Sequence, residues 1–299
     1  MLSTTDLLAL ESTLLLAGMA FASYQDWRVR EVSDSLWIIM AVLGGVLLEV
    51  GSLGSPWPVY LLNVVAVLFV LEHLLPWEDL LGDRGGLVWG VEIALYVGVL
   101  LLSVYTWFVL FPHTLLLYYD VVGMVLLARV LFEVGALYGG ADAKALMAAS
   151  AVLPVLANPL LLEYPARVQG SVLALLPFPF TMLIDGALLT LLVPLIMLIR
   201  NLRRGEREFP KILHMERIPT PELADRFVWL KDPPLEEGHR EDSTEEDQAL
   251  RARQVEKLKA MGVERVWVTP QLPFLISLAL GAALGVLVGD VLVWFLTAI

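Results

Sequence analysis

Residues 35–53 read SLWIIMAVLGGVLLEVGSL, nineteen residues with Glu49 as the lone charge. A run of that length spans about 30 Å of hydrocarbon when helical. The same signature recurs along the 299-residue chain, which is 58% hydrophobic and 17% charged with a mean hydropathy of +0.74. A soluble domain has about 25% charged residues. The reading is an all-α polytopic membrane protein with about eight transmembrane helices, near 6–24, 35–53, 57–75, 87–111, 113–136, 144–162, 176–199 and 272–296. The first is expected to be a retained span, because Arg28 and Arg30 follow it rather than precede it as in a secretory signal.

Turn-forming connectors separate the runs: GSLGSPWP at 51–58, LLGDRGG at 80–86, the Phe111-Pro112 corner and EYPARVQG at 163–170. Lys and Arg near the span ends divide the loops. One set carries Arg28, Arg30, Arg84, Lys144, Arg200, Arg203, Arg204 and Arg207, the other only Arg167. The first set is therefore expected in the cytoplasm.

Residues 201–265 hold 28 of the 52 acidic and basic residues. Three domains follow: a membrane bundle over 1–200, a cytoplasmic insert over 201–268 and a last span in 269–299. Within the insert, EEDQALRARQVEKLKAMG at 245–262 is expected to be a helix ending before Gly262. GHREDSTEED at 238–247 is expected to be flexible, and VERVWVT at 263–269 a short strand.

Several chemistries are excluded or disfavoured. The chain has no cysteine, so thiolate zinc sites and cysteine nucleophiles are ruled out. His73, His113, His214 and His239 show no metal-type spacing, and no cofactor is expected. A net charge of −12 disfavours nucleic acid as a partner.

Ionisable groups at membrane depth or at a helix mouth are the candidates that remain. Asp26 closes the first span in SYQDWRVREVSDSLW (23–37), and Asp142 lies in YGGADAKAL (138–146). The expected topology puts both on the cytoplasmic face at similar depth. Two carboxylates sharing one proton can hydrolyse a peptide bond without metal, thiol or serine triad, one acting as base and the other as acid. Glycines beside Asp142 would let a substrate backbone approach closely.

The other carboxylates carry plainer expectations. Asp34 is placed as the N-cap of the second span. Asp120 is expected to hydrogen-bond across the bundle or to pair with Arg129, and Asp185 to join two helices. Asp290 is expected to be solvated at the outer end of the last span.

Four segments together resemble the archaeal prepilin and preflagellin peptidases, membrane aspartyl proteases named for a Gly-x-Gly-Asp motif. They are SYQDWRVREVSDSLW, GGADAKAL, PFPFTMLIDGALLTLLVPLIMLIRNLRRG (177–205) and VWVTPQLPFLISLALGAALGVLVGD (266–290). The likeness covers most of the chain in order and is absent from 57–111 and 232–250. It implies catalytic roles for Asp26 and Asp142. The motif's glycines fall on Gly139 and Ala141, so one glycine is replaced, with Gly140 between them. Arg30 and Lys144 fall at basic positions beside the aspartates and would support the local fold or steer substrate.

The resemblance further implies an aspartic-type endopeptidase of the cell membrane, with its active site facing the cytoplasm. It would cut a basic leader from type IV pilin-like or archaellin precursors, the precursor polypeptide and membrane lipid being its partners. Bacterial relatives add a cysteine-rich zinc segment and N-methylate the product, so peptidase activity alone is implied here. Glu78, Asp79 and Asp83 could attract a basic leader or simply form a solvated loop. Three other readings stay open at this point. One is a presenilin or signal-peptide-peptidase type of protease using Tyr119-Asp120. Another is an ion-coupled transporter using Asp120, Asp185 and Arg129. A non-catalytic scaffold of pilus assembly is a third.

Overall fold

The computed structural model describes residues 3–77, 85–109, 116–137, 139–156, 159–162, 176–224, 226–232 and 244–298. The acidic positions Glu78, Asp79 and Asp83, the Phe111-Pro112 corner, His113, segment 163–170 and positions 238–243 lie outside them. In chain order the helices begin α1 (Thr4–Val29), α2 (Asp34–Gly51), α3 (Trp57–Leu74), α4 (Gly85–Val109), α5 (Leu116–Glu133) and α6 (Gly140–Val152). They continue with α7 (Phe178–Thr190), α8 (Leu192–Arg203), α9 (Thr244–Ala260), α10 (Phe274–Leu287) and α11 (Val291–Ala298). Strands β1 (Glu216–Pro219), β2 (Val228–Asp232) and β3 (Arg265–Pro270) complete the set. The chain divides into two compact units, residues 1–189 with 273–299, and residues 190–272.

Five of the described helical segments are long and apolar enough to cross a membrane: Thr4–Val29, Asp34–Gly51, Trp57–Leu74, Trp89–Thr106 and Phe178–Arg203. The count of eight read from the sequence is thus met only in part, and the physical reasons differ. Helix α5 is long enough but carries Asp120, Arg129 and Glu133. The run expected to span 144–162 is helical only to Val152, a 13-residue helix of about 20 Å at 1.5 Å per residue. Pro154 stops it, since Leu153 is held at φ −143°, ψ 79°, away from the helical region. The run expected over 272–296 breaks after Leu287, and Gly289 turns the chain at φ 95°.

That break satisfies its own backbone, as apolar surroundings demand. Leu160 N–H donates to the Val286 carbonyl at 2.9 Å and Leu161 N–H to that of Leu287 at 2.8 Å. The Trp294 indole donates to the Val288 carbonyl at 2.8 Å. At the start of α11, Asp185 Oδ1 accepts the Val291 N–H and Asp290 Oδ1 the Val293 N–H, both at 3.0 Å.

Helix α6 forms the centre of the first unit. It packs against α1, α2, α3, α5 and α10, and its side chains from Asp142 to Val152 are all buried except that of Lys144. Ala143, Ala145, Ala148, Ala149 and Ala151 keep it thin enough for neighbours on every side. Glycine allows the closest approaches. A Cβ on Gly44 of α2 would lie 2.6 Å from the Ala151 carbonyl oxygen. One on Gly281 of α10 would lie 2.5 Å from Gly186 N and Met182 O of α7. Backbone cannot swing aside as a side chain can. Gly281→Val is therefore expected to cost about 3 kcal/mol or more by overpacking, read as a lower melting temperature in detergent. Gly123→Ala, where a Cβ meets nothing within 4 Å, is the matched control.

The second unit departs from an all-helical chain. Its antiparallel sheet has the order β1-β3-β2 and carries helix α9. Ile218, Leu223, Val228, Val255, Leu258, Val266 and Val268 form its core. Helix α9 ends as its sequence indicated: Gly262 takes φ 71°, and Val263 N–H returns to the Leu258 carbonyl. The buried Asn201, in the last turn of α8, donates to the Ile212 and Met215 carbonyls at 3.0 and 2.6 Å. Buried Glu216 of β1 pairs with Arg200, Arg204 and Arg226.

Candidate functional site

Asp26 lies in the last turn of α1. The helix ends because Arg30 adopts the left-handed conformation, φ 61° and ψ 19°, its N–H bonded to the Asp26 carbonyl at 3.1 Å. Ser23, a turn earlier in α1, donates from Oγ to the Leu275 carbonyl of α10 at 3.2 Å, which anchors this end of α1. The Asp26 side chain is half-buried and feels the Arg30 charge.

Asp142 is the third residue of α6, and its side chain is 9% exposed. Gly139 is the N-cap residue, and the Asp142 carboxylate lies back against it. The carboxylate folds so closely over the glycine that a Cβ there would meet Asp142 Oδ2 at 2.7 Å. Asp26 and Asp142 interact electrostatically. Two carboxylates far apart in sequence thus come within electrostatic reach of one another on two helices that pack together, one of them buried.

The motif's remaining small residues have ordinary conformations. Gly139 sits at φ −94°, ψ 124°, a region open to any L-residue, and Ala141 is helical. The alanine that replaces the motif's second glycine is therefore unstrained. A Cβ on Gly140 would make an ordinary 3.9 Å contact with Phe132.

Lys144 bonds Asp34, Nζ to Oδ1, at 2.5 Å. This corrects the N-cap expectation for Asp34: Ser33 occupies the cap position, and Asp34 is the first residue of α2. Sequence reading missed the pair because its partners stand 110 residues apart.

The other acids lie elsewhere. Asp120 is about 18 Å along α5 from Phe132, the α5 residue nearest Gly140. Arg129 does not pair with it, but with Glu92 at 3.4 Å and Glu133 at 3.8 Å. Asp290 is buried rather than solvated, accepting the Thr181 hydroxyl at 3.2 Å. Asp185 joins two helices through Val291. Asp185 belongs to α7, whose Gly186 packs against Ser277 and Leu278 of α10, and Asp290 lies beyond the end of α10. His73 is buried, with Nε2 2.7 Å from the Tyr96 hydroxyl and Nδ1 2.8 Å from Glu72 Oε2. Among the described residues no three acids, histidines or cysteines gather as metal ligands.

No family model matches the chain. A curated relative, the preflagellin peptidase of Methanococcus maripaludis, is 22% identical over 291 residues, covering 93% of this chain and 95% of that protein.

Proposed function

We propose that the chain is a membrane aspartyl endopeptidase that removes the basic leader from type IV pilin-like or archaellin precursors. The observation that carries this reading is the buried Asp142 within electrostatic reach of Asp26, on two helices that pack together. The likeness to a preflagellin peptidase along nearly the whole chain supports it.

The chemistry follows from like charges in a poorly hydrated place. Two carboxylates brought together over a substrate resist double ionisation and share one proton. The ionised member takes a proton from a water molecule, whose oxygen attacks the scissile carbonyl carbon. The protonated member hydrogen-bonds the carbonyl oxygen as negative charge develops there. Collapse of the tetrahedral species breaks the C–N bond, and the departing nitrogen takes a proton from the dyad. Water, two carboxylates and a peptide suffice.

The Lys/Arg asymmetry of the loops supports a cytoplasmic site. Within the protease class, the distance of Asp120 from the α6 start disfavours the Tyr119-Asp120 alternative. A preflagellin-type precursor should be shortened by inverted membrane vesicles that display the cytoplasmic face and left intact by sealed right-side-out vesicles. Cleavage only by the latter would refute the facing, and cleavage by neither, even after detergent permeabilisation, would refute the activity.

A further inference from the structure

We propose that Asp34, acting through Lys144, is a positioning residue that holds Asp142 at its working distance from Asp26. The inference rests on the dyad reading above. Helix α6 starts on Gly139 and Gly140, and a Cβ on Gly140 would find only the Phe132 ring within 4 Å. Two glycines give this first turn little intrinsic stiffness. Asp142 donates its N–H back to the Gly139 carbonyl at 3.0 Å, and its carboxylate lies against the same glycine. Beyond the packing of its buried side chains, this turn has a polar tie to another helix through Lys144, bonded to Asp34 of α2.

The bond closes a ring. Asp26 connects through Arg30, whose N–H holds the Asp26 carbonyl, to a short connector and the start of α2. Asp34 then reaches Lys144, two residues beyond Asp142 in α6. Both carboxylates of the dyad are thereby set from one short stretch of chain. Local helix electrostatics do not explain Lys144, because a cation in the first turns of a helix opposes the macrodipole. Asp34 supplies the anion that makes the position favourable, and its own place at the start of α2 suits a carboxylate.

The test uses the full chain in proteoliposomes with a preflagellin-type precursor. Asp34→Ala and Lys144→Met should each lower kcat by about tenfold to a hundredfold, the scale of an ångström-sized misplacement, with KM unchanged within twofold. The double variant should be no worse than either single one, and Asp34→Glu should recover most of the rate. A second readout does not need cleavage. The chain has no cysteine, so spin labels can be placed by Trp27→Cys on α1 and Gly140→Cys on α6. Their distance distribution should broaden or shift when Asp34→Ala is added and return with Asp34→Glu. An unchanged distribution, an unchanged kcat, or a raised KM at constant kcat would overturn the positioning role. If the unmodified protein cleaves no precursor, the dyad reading fails by itself, and the label distances still decide whether the clamp exists.

Discussion

Asp26→Asn and Asp142→Asn should each reduce precursor cleavage by about a thousandfold or more, within the range that general acid–base groups contribute. Asparagine is nearly isosteric but can neither accept nor share the proton. At position 142 it keeps the shape of the side chain lying against Gly139, so the start of α6 should keep its shape. Melting temperature and membrane insertion are expected to match the unmodified protein. Because the two residues act as a unit, the double variant should be no slower than either single one. Asp120→Asn, well removed along α5, should retain activity. A pH–rate profile should be a bell whose two limbs belong to the pair and not to one residue. Cleavage that survives Asp142→Asn but is lost with Asp120→Asn would overturn the assignment.

Gly139→Ala should lower activity by about a hundredfold while Gly140→Ala stays close to unmodified. The contrast is steric. The new methyl at 139 would stand 2.7 Å from Asp142 Oδ2, and the carboxylate must swing away from its present place to relieve it. The backbone itself tolerates alanine at φ −94°. Stability should therefore fall by only about 1 kcal/mol, the cost of a poorer N-cap. A methyl at 140 meets only the Phe132 ring, at ordinary van der Waals distance. Equal losses at both positions would mean that the glycines serve substrate approach and not the folding of Asp142 over its cap.

The apolar runs were legible because helix length and membrane thickness are a one-dimensional match. Thr4–Val29, Asp34–Gly51 and Trp57–Leu74 follow from composition alone. Where the reading failed, a long run hid a local stop. Pro154 ends α6 inside an apolar stretch, and Gly289 and Asp290 divide α10 from α11 without interrupting hydropathy for long. Strands β1 and β2 are four and five residues long, Pro219 and Asp232 closing them, too short to show an alternating pattern. Helix α9 and β3 were readable, because Gly262 marks the boundary between them. At the site, Asp26 and Asp142 stood out through charge type, glycine neighbours and resemblance. The role of Asp34 could not, since a carboxylate at a helix start looks the same whether it caps its own amides or holds a lysine across the bundle.

The divided C-terminal helix bears on how the protein is made. The carbonyls of Val286 and Leu287 are capped by Leu160 and Leu161, and the amide of Val291 by Asp185. All three caps leave the ribosome more than a hundred residues before the groups they satisfy. Residues 274–298 therefore cannot reach their final shape as an autonomous hairpin or stop-transfer segment. They complete a receptor already assembled from earlier helices. Biogenesis of the C-terminus becomes a docking event, and the quality of the 159–161 segment sets whether it succeeds.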